Sequence, residues 1–437
     1  MHSHLLLIVN YLLLIELMRN ILLTLSFLSA SFAAAWSQSA TTPSYVVTQE
    51  EMLPVFQASL TPFKYGLVIA PTDNKHKIDC PTVYREGDKW YMTYVVYDGQ
   101  GGKDGRGYET WLAESPDLLH WETLGRVLSF IGEDLNHEAT DVNPDPYIDS
   151  LRWDANQRGG FPSLLDWNWA GSYRLQEYNR RHWMTYLGGA GTGYEGIRGP
   201  LHIGLAWTEG DITTAHEWES LNRPIISERD ADSQWFEQLI QYKSMVYLDE
   251  EKSLGTNFVM FYNAGGINPE TNYKGERIGV ATSNDMRLWK RYPGNPVFTH
   301  ESQGIITGDA QIQKMYIKDG VVLDNPSYVE RQGAQRLYTM FYFSAFNPTR
   351  EYKAYNTFAC SKDLVHWYDW EGPDLIKPSE EFDSFFAHKS FVVKYNGVVY
   401  HFYCAVNQPQ QRGIAVATSE DMGQSEVHFP EPPVKKK

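Results

Sequence analysis

The stretch IGVATSNDMRLW, residues 278–289, decides the fold because the chain writes it several times. Copies occur as WLAESPDLLHW (111–121), TFACSKDLVHW (357–367) and IAVATSEDM (414–422), with a looser one in IGLAWTEGDITTAHEW (203–218). Just upstream of each lies a run rich in Tyr, Phe and Met: KWYMTYVVY (89–97), HWMTYLGG (182–189), NFVMFYNA (257–264), LYTMFYFSA (337–345) and VVYHFYCAV (398–406). A third pattern precedes that: DCPTVY (79–84), GFPSLL (160–165), YKSMVY (242–247) and HKSFVV (388–393). Its remaining copy reads either as GDAQIQ (308–313) or as DNPSYV (324–329).

Each run is short, β-branched or aromatic, and bordered by Gly, Asn or Asp, so it reads as a strand. A small antiparallel sheet cannot bury both faces alone, whereas sheets packed radially around an axis do so. Five copies in one order therefore predict an all-β, five-bladed β-propeller over residues 75–425. Inner strands are expected near 79–84, 160–165, 242–247, 308–313 and 388–393. Residues 36–74 lead into the propeller and 426–437 form a tail.

Composition removes several function classes. The 437 residues carry 38 Lys+Arg against 54 Asp+Glu, a net charge of −16. With its positive charges scattered, such a chain does not bind nucleic acid, which needs clustered cations. Aromatic residues make up 14% of the chain, a surplus that suits sheet faces and sugar-stacking clefts. Three cysteines, Cys80, Cys360 and Cys404, are too few for a disulfide framework and lack zinc-site spacing. No serine-nucleophile elbow and no Walker-type phosphate loop is present. The chemistry expected requires no cofactor. Acidic loops at NPDPYIDS (143–150) and ERDADS (228–233) leave room for a structural calcium ion, although neither fits the twelve-residue calcium loop.

DCPTVYREGDKWYMTYVVYD (79–98) and ATSNDMRLW (281–289) resemble the opening blade and the blade endings of the five-bladed propeller glycosidases, glycoside hydrolase families 43, 32, 117 and 130. The resemblance implies a central pocket with an acid/base pair of carboxylates, usually inverting, and a further carboxylate that tunes the acid. Family 43 places an Asp directly before the Pro of blade one and a Glu-Gly-Pro later. Here Cys80 separates Asp79 from Pro81, and the third blade reads Gln241-Tyr242-Lys243. Hydrolysis of a carbohydrate is thus the first expectation. A phosphorylase of the family 130 kind and a non-catalytic glycan-binding propeller remain as alternatives. The partner is a saccharide; oligomeric state is not readable.

Glycoside hydrolysis needs one carboxyl group to protonate the leaving oxygen and another to activate water or attack the sugar. Candidates are sought at inner strands, whose ends meet at the channel. Asp79 is the expected base, Glu237 the expected acid, and Asp309 orients the sugar or tunes the acid, with Asp324 its competitor in the alternative alignment. Lys243 and Lys389, in YKS and HKS, occupy matching positions, so two ammonium groups are expected in one channel. His388, Tyr242, Trp167, Trp235 and Glu195 complete the expected substrate contacts. Glu109 and Glu276 read as structural residues opening third strands.

From Met18 the chain reads as a secretory signal: basic Arg19, an apolar stretch, then Ala33-Ala34-Ala35. The competing reading is an uncleaved anchor. A secreted or periplasmic protein, free of the membrane after cleavage at about residue 35, is expected. N-terminal sequencing of the exported protein should find Trp36 at or near the start; residues 18–30 still attached would establish an anchor instead.

Overall fold

The structure, a computed structural model, describes residues 43–98, 107–131, 152–191 and 201–431. The signal segment 1–35, the acidic loop 143–150 and Glu195 lie outside the described residues. No helix among the described residues is long and apolar enough to cross a membrane.

The described strands form five antiparallel sheets. Blade one is β2 (His76–Glu86), β3 (Lys89–Asp98), β4 (Glu109–Ser115) and β5 (Glu122–Leu128). Blade two is β6 (Gln157–Pro162), β7 (His182–Gly189), β8 (His202–Thr208) and β9 (Glu219–Ser220). Blade three is β10 (Ile240–Leu248), β11 (Phe258–Ile267), β12 (Lys274–Ser283) and β13 (Lys290–Arg291). Blade four runs β14 (Ile306–Lys318), β16 (Gln335–Ala345), β17 (Ala354–Ser361) and β18 (Tyr368–Asp369), with β15 (Val321–Leu323) paired to the far end of β14. Blade five is β19 (Phe386–Tyr395), β20 (Val398–Val406) and β21 (Arg412–Thr418), and its outer strand is β1 (Phe63–Ile69) from the other end of the chain. The all-β, five-bladed propeller read from the repeats is the fold observed.

The repeated motif is a strand-ending turn. In the blade-three copy the Asp285 amide donates to Ser283 Oγ (3.1 Å), and the Arg287 and Leu288 amides donate to Asp285 Oδ1 (2.9 and 2.8 Å). Met286 takes φ 66°, which lets Trp289 Nε1 donate to its carbonyl at 2.8 Å. Ser115, Asp117, Leu118 and Trp121 repeat this arrangement, as do Ser361, Asp363, Leu364 and Trp367. Short polar side chains thereby satisfy amides that leave the ladder.

Between the blades, the aromatic strands supply the core. Trp90, Met92, Tyr94, Met184, Phe261, Met340 and Phe402 are all buried in one cluster. One expectation is adjusted, and one open alternative is decided. The inner strand of blade two ends at Pro162, because Leu164 adopts φ 62° and the chain turns away. GDAQIQ, not DNPSYV, is the inner strand of blade four, and Asp324 lies in a turn paired with Lys394 at 2.8 Å.

The N-terminal segment contributes more than a lead-in. Helix α1 (Gln49–Ser59) starts at a Thr48/Glu51 capping box and buries Met52, Val55 and Phe56, the last stacked on Trp370 of the blade-four side at 5.0 Å. Strand β1 covers the edge of β21 from Phe63↔Thr418 to Ile69↔Ile414. An uncovered edge offers a row of unpaired amides and carbonyls. A chain beginning at Thr72 should melt at least about 10 °C lower by circular dichroism, and scatter light on heating; an unchanged melting curve would show that ring closure does not need β1.

Candidate active site

Four of the five inner strands carry a two-residue bulge near the channel mouth. It lies between Asp79 and Thr82 in β2, Gln241 and Ser244 in β10, Gly308 and Gln311 in β14, and His388 and Phe391 in β19. In three of them the first bulged residue is left-handed: Cys80 (φ 54°), Asp309 (φ 53°) and Lys389 (φ 62°). Each costs on the order of 1–3 kcal/mol for a non-glycine residue, and such strain collects at functional sites. Lys389 is the first residue of its bulge and Lys243 the second, so the two lysines are offset by one position rather than matched.

Cys80, Tyr242, Lys243, Asp309 and Lys389 of these bulges line a cavity of about 300 Å³, with Glu276, His388 and Arg412 on its wall. Lys243 and Asp309 face each other there, Nζ to Oδ2 at 3.7 Å. Both are almost fully buried, and neither atom has a hydrogen-bond partner among the described residues. Phe161 and Phe391 lie 5.4 and 5.9 Å from the same ammonium. Such a pair lacks the hydrogen bonds that usually compensate burial, and a sugar hydroxyl or a water would supply them. Glu276, at the cavity end of β12, is half-buried and accepts from Asn263 Nδ2 at 3.2 Å.

Asp79 lies behind this wall and is fully buried. Its Oδ2 accepts from Lys389 Nζ (2.7 Å) and Arg412 Nη1 (3.2 Å), and its Oδ1 from the Cys80 amide (2.9 Å). Burial works to raise its pKa, but Lys389, then His388 and Arg412, outweigh it and hold the carboxyl well below the usual range. A group so saturated and so enclosed positions Lys389 and Arg412; it is not placed to take a proton from water. His388 Nδ1 faces the Cys404 carbonyl at 3.1 Å, which can only accept, so that nitrogen carries the proton. Burial pushes this imidazole down to about 3, so it is neutral at neutral pH.

Glu237, the acid expected from sequence, is placed elsewhere. It ends a short 3-10 turn (Trp235–Glu237), is buried, and does not line the cavity. Tyr262 donates to its Oε1 (2.5 Å) and Arg291 Nε to its Oε2 (2.6 Å). The same latch recurs around the ring. Tyr186 donates to Asp154 (2.7 Å), Tyr342 to Asp369 (2.5 Å) and Tyr403 to Asp383 (2.9 Å). Arg152, His300 and Lys64 are their respective basic partners. Glu237 is therefore the blade-three member of a structural set.

Two expected aromatic platforms are also absent from the cavity wall: Trp167 is core, and Trp235 is half-buried against it. Trp167 is buried, stacked on Tyr247 at 4.8 Å, with Lys314 Nζ 4.3 Å above its ring. Trp235 packs edge-on against Phe236 and under the Arg277 guanidinium at 4.7 Å. Of the acidic loop 228–233, Asp230 and Asp232 are spent on Arg291 (3.0 and 2.7 Å). Asp79, His388 and Cys404 bring ligand atoms within 4.8 Å of one another. That donor set suits a soft ion rather than calcium, and Lys389 and Arg412 on the same carboxylate oppose any cation there.

Sequence reading passed over Glu276 and Arg412. Glu276 carried a signal in its setting, KGERIG, where glycines flank a lone carboxylate at a strand start. Arg412 carried none, because it opens an otherwise apolar third strand.

Buried neutral histidines make stability depend on pH. His388 and His401 are both depressed to about 3 by burial, from an unfolded value of 6.5. Unfolded chains take up protons near pH 6.5 while the folded ring does not. The stabilisation is thus full above pH 6.5 and declines as pH falls toward 3. The loss between pH 6.5 and 5 is about 1.5 kcal/mol per histidine. Urea unfolding at pH 7 and pH 5 should show it, and His401→Gln should narrow the gap; equal stability at both pH values would refute the assignment.

No sequence-family model and no curated protein matches the chain. Among solved structures, a glycoside hydrolase is 59% identical and superposes with a TM-score of 0.79, covering 89% of this chain and 99% of its own. BT0996 in its complex with RGII is similar to the same extent, at 59% identity and a TM-score of 0.79 over the same shares of both proteins. Zg3597, a family 117 glycoside hydrolase from Zobellia galactanivorans, shares the fold at 13% identity and a TM-score of 0.51, over 83% of this chain and 91% of its own. A five-bladed ring, a cavity lined by carboxyl groups and near-complete coverage of a relative at this identity lead to one conclusion: the chain belongs to the β-propeller glycoside hydrolases.

Proposed function

We propose that this glycoside hydrolase cleaves a glycosidic bond in an RGII-type oligosaccharide, as an exported enzyme needing no cofactor, with Glu276 and Asp309 as its acid/base pair. The observation that carries the proposal is that these are the carboxyl groups lining the cavity among the described residues. The RGII complex of a protein 59% identical supports the substrate class.

Glu276 stands at the more open edge, where a leaving group departs, and is assigned the proton donor. Asp309 lies deeper, and its partnerless Oδ2 is assigned the acceptor of a proton from the attacking water. Lys243, 3.7 Å away, steers that carboxylate and grips a sugar hydroxyl. Lys389 and Arg412, held by Asp79, and His388 and Tyr242 bind the remaining hydroxyls. With water attacking directly, the anomeric configuration inverts. Glu195, which follows the cavity-lining strand β7, keeps its role as a proposed substrate contact.

Glu276→Gln and Asp309→Asn should each lower kcat on RGII-derived oligosaccharides by about 10²-fold or more, with unchanged circular dichroism. Proton NMR of the first-formed sugar should show the inverted anomer. Glu237→Gln should lower the melting temperature and leave turnover by the folded enzyme intact. If Glu195→Gln loses as much activity as Glu276→Gln while Asp309→Asn retains it, Glu195 replaces Asp309 as the second carboxylate. Turnover that requires added phosphate would overturn hydrolysis altogether.

A further inference from the structure

A second cavity, of about 410 Å³, opens beside the first and is bordered by Leu239, Lys274 and Gly304. The two share Tyr242, Glu276 and Ile306 as a common wall. Glu276 thus faces both spaces. A bond whose oxygen is protonated by this carboxyl group joins a sugar in one cavity to a sugar in the other.

Its surface has two qualities. Leu239, 40% exposed, stands with the half-buried Ile240 as an apolar platform of the kind that accepts the C–H face of a sugar ring. Lys274 is exposed, and its ammonium has no ion pair or hydrogen bond among the described residues. Glu276 is the one carboxylate among the described residues of that cavity. In a chain of net charge −16, a cleft edge that pairs a lone ammonium with a proton-donating carboxyl is locally favourable to an anion.

We propose that this second cavity is the leaving-group subsite and that Lys274 selects a carboxylate-bearing sugar, a uronic acid, within it. The proposal rests on Glu276 as proton donor. Lys274 acts on specificity rather than on the chemical step, and as an exposed charge it works over a short range that salt screens.

The test compares the full-length protein on uronic-acid-containing oligosaccharides and on the same oligosaccharides after carboxyl reduction. The wild type should show the higher kcat/KM on the acidic set, with the preference shrinking as ionic strength rises. Lys274→Glu should lower the acidic-to-reduced ratio about tenfold, in line with reversal of one exposed charge, and Lys274→Gln should lower it less. Binding of both sets to the Glu276→Gln protein, by titration calorimetry, gives the same ratio without turnover. An unaltered ratio in Lys274→Glu, a wild-type preference for the reduced set, or no binding of the acidic set overturns the subsite. Undiminished turnover by Glu276→Gln would instead remove the proton-donor assignment, so the two failures are distinct.

Discussion

Closure of the ring is the constraint on which everything else depends. A blade's two faces are buried only because a neighbour lies on each side, and the first and last blades are neighbours only if the ring is held shut. Two devices hold it. The main-chain ladder between β1 and β21 builds the last blade from both ends of the chain. The triad of buried Asp79 with the half-buried Lys389 and Arg412 then ties blade one to blade five. Losing one partner of such a buried pair typically costs about 3–5 kcal/mol, because the remaining charge is stranded. The same Lys389 and Arg412 form part of the cavity wall, so the seam of the ring and the edge of the site are one set of atoms.

The ring contains several buried or half-buried carboxylates, and their surroundings sort them into two kinds. Asp154, Glu237, Asp369 and Asp383 each receive a tyrosine hydroxyl and a basic partner. Each holds strand to loop, although Asp154 Oδ1 lacks a hydrogen bond among the described residues. Asp309 has an oxygen with nothing donating to it and a lysine just beyond hydrogen-bond reach. Burial alone does not distinguish the two kinds. Position does: Asp154 Oδ1 is also short of a hydrogen bond but lies off the cavity, whereas the under-bonded oxygen of Asp309 belongs to a residue that lines it and is available to a ligand.

Legibility followed the same division. The five repeats, four of the five inner strands and the convergence of Asp309, Lys243, His388 and Lys389 were readable, because strand periodicity and repeat order carry them directly. Glu237 was misread because its neighbours Trp235 and Phe236 suggested desolvation, while the residues that saturate it, Tyr262 and Arg291, lie 25 and 54 positions along the chain. Trp167 failed for a like reason, since its stacking partner Tyr247 belongs to the next blade. Glu276 was set aside as a strand-start residue, and only the three-dimensional ring shows that this end of β12 opens on the channel.

The bulges separate what the inner strands must keep from what they can vary. On either side of each bulge the ladder is regular, so packing of the blade is fixed by residues such as Thr82, Gln311 and Phe391. Both residues of a bulge stand outside that register, and at least one of them lines the cavity: Cys80, Tyr242 with Lys243, Asp309 and Lys389, offering thiol, phenol, ammonium or carboxylate. One backbone irregularity, used repeatedly, therefore serves as a set of sockets: chemistry can be exchanged in the bulges of β10 and β14 without breaking the ladder on either side, whereas Lys389 in β19 is also tied to Asp79 across the seam. A ring of this design can acquire a new substrate by changing a few residues while every blade goes on folding as before.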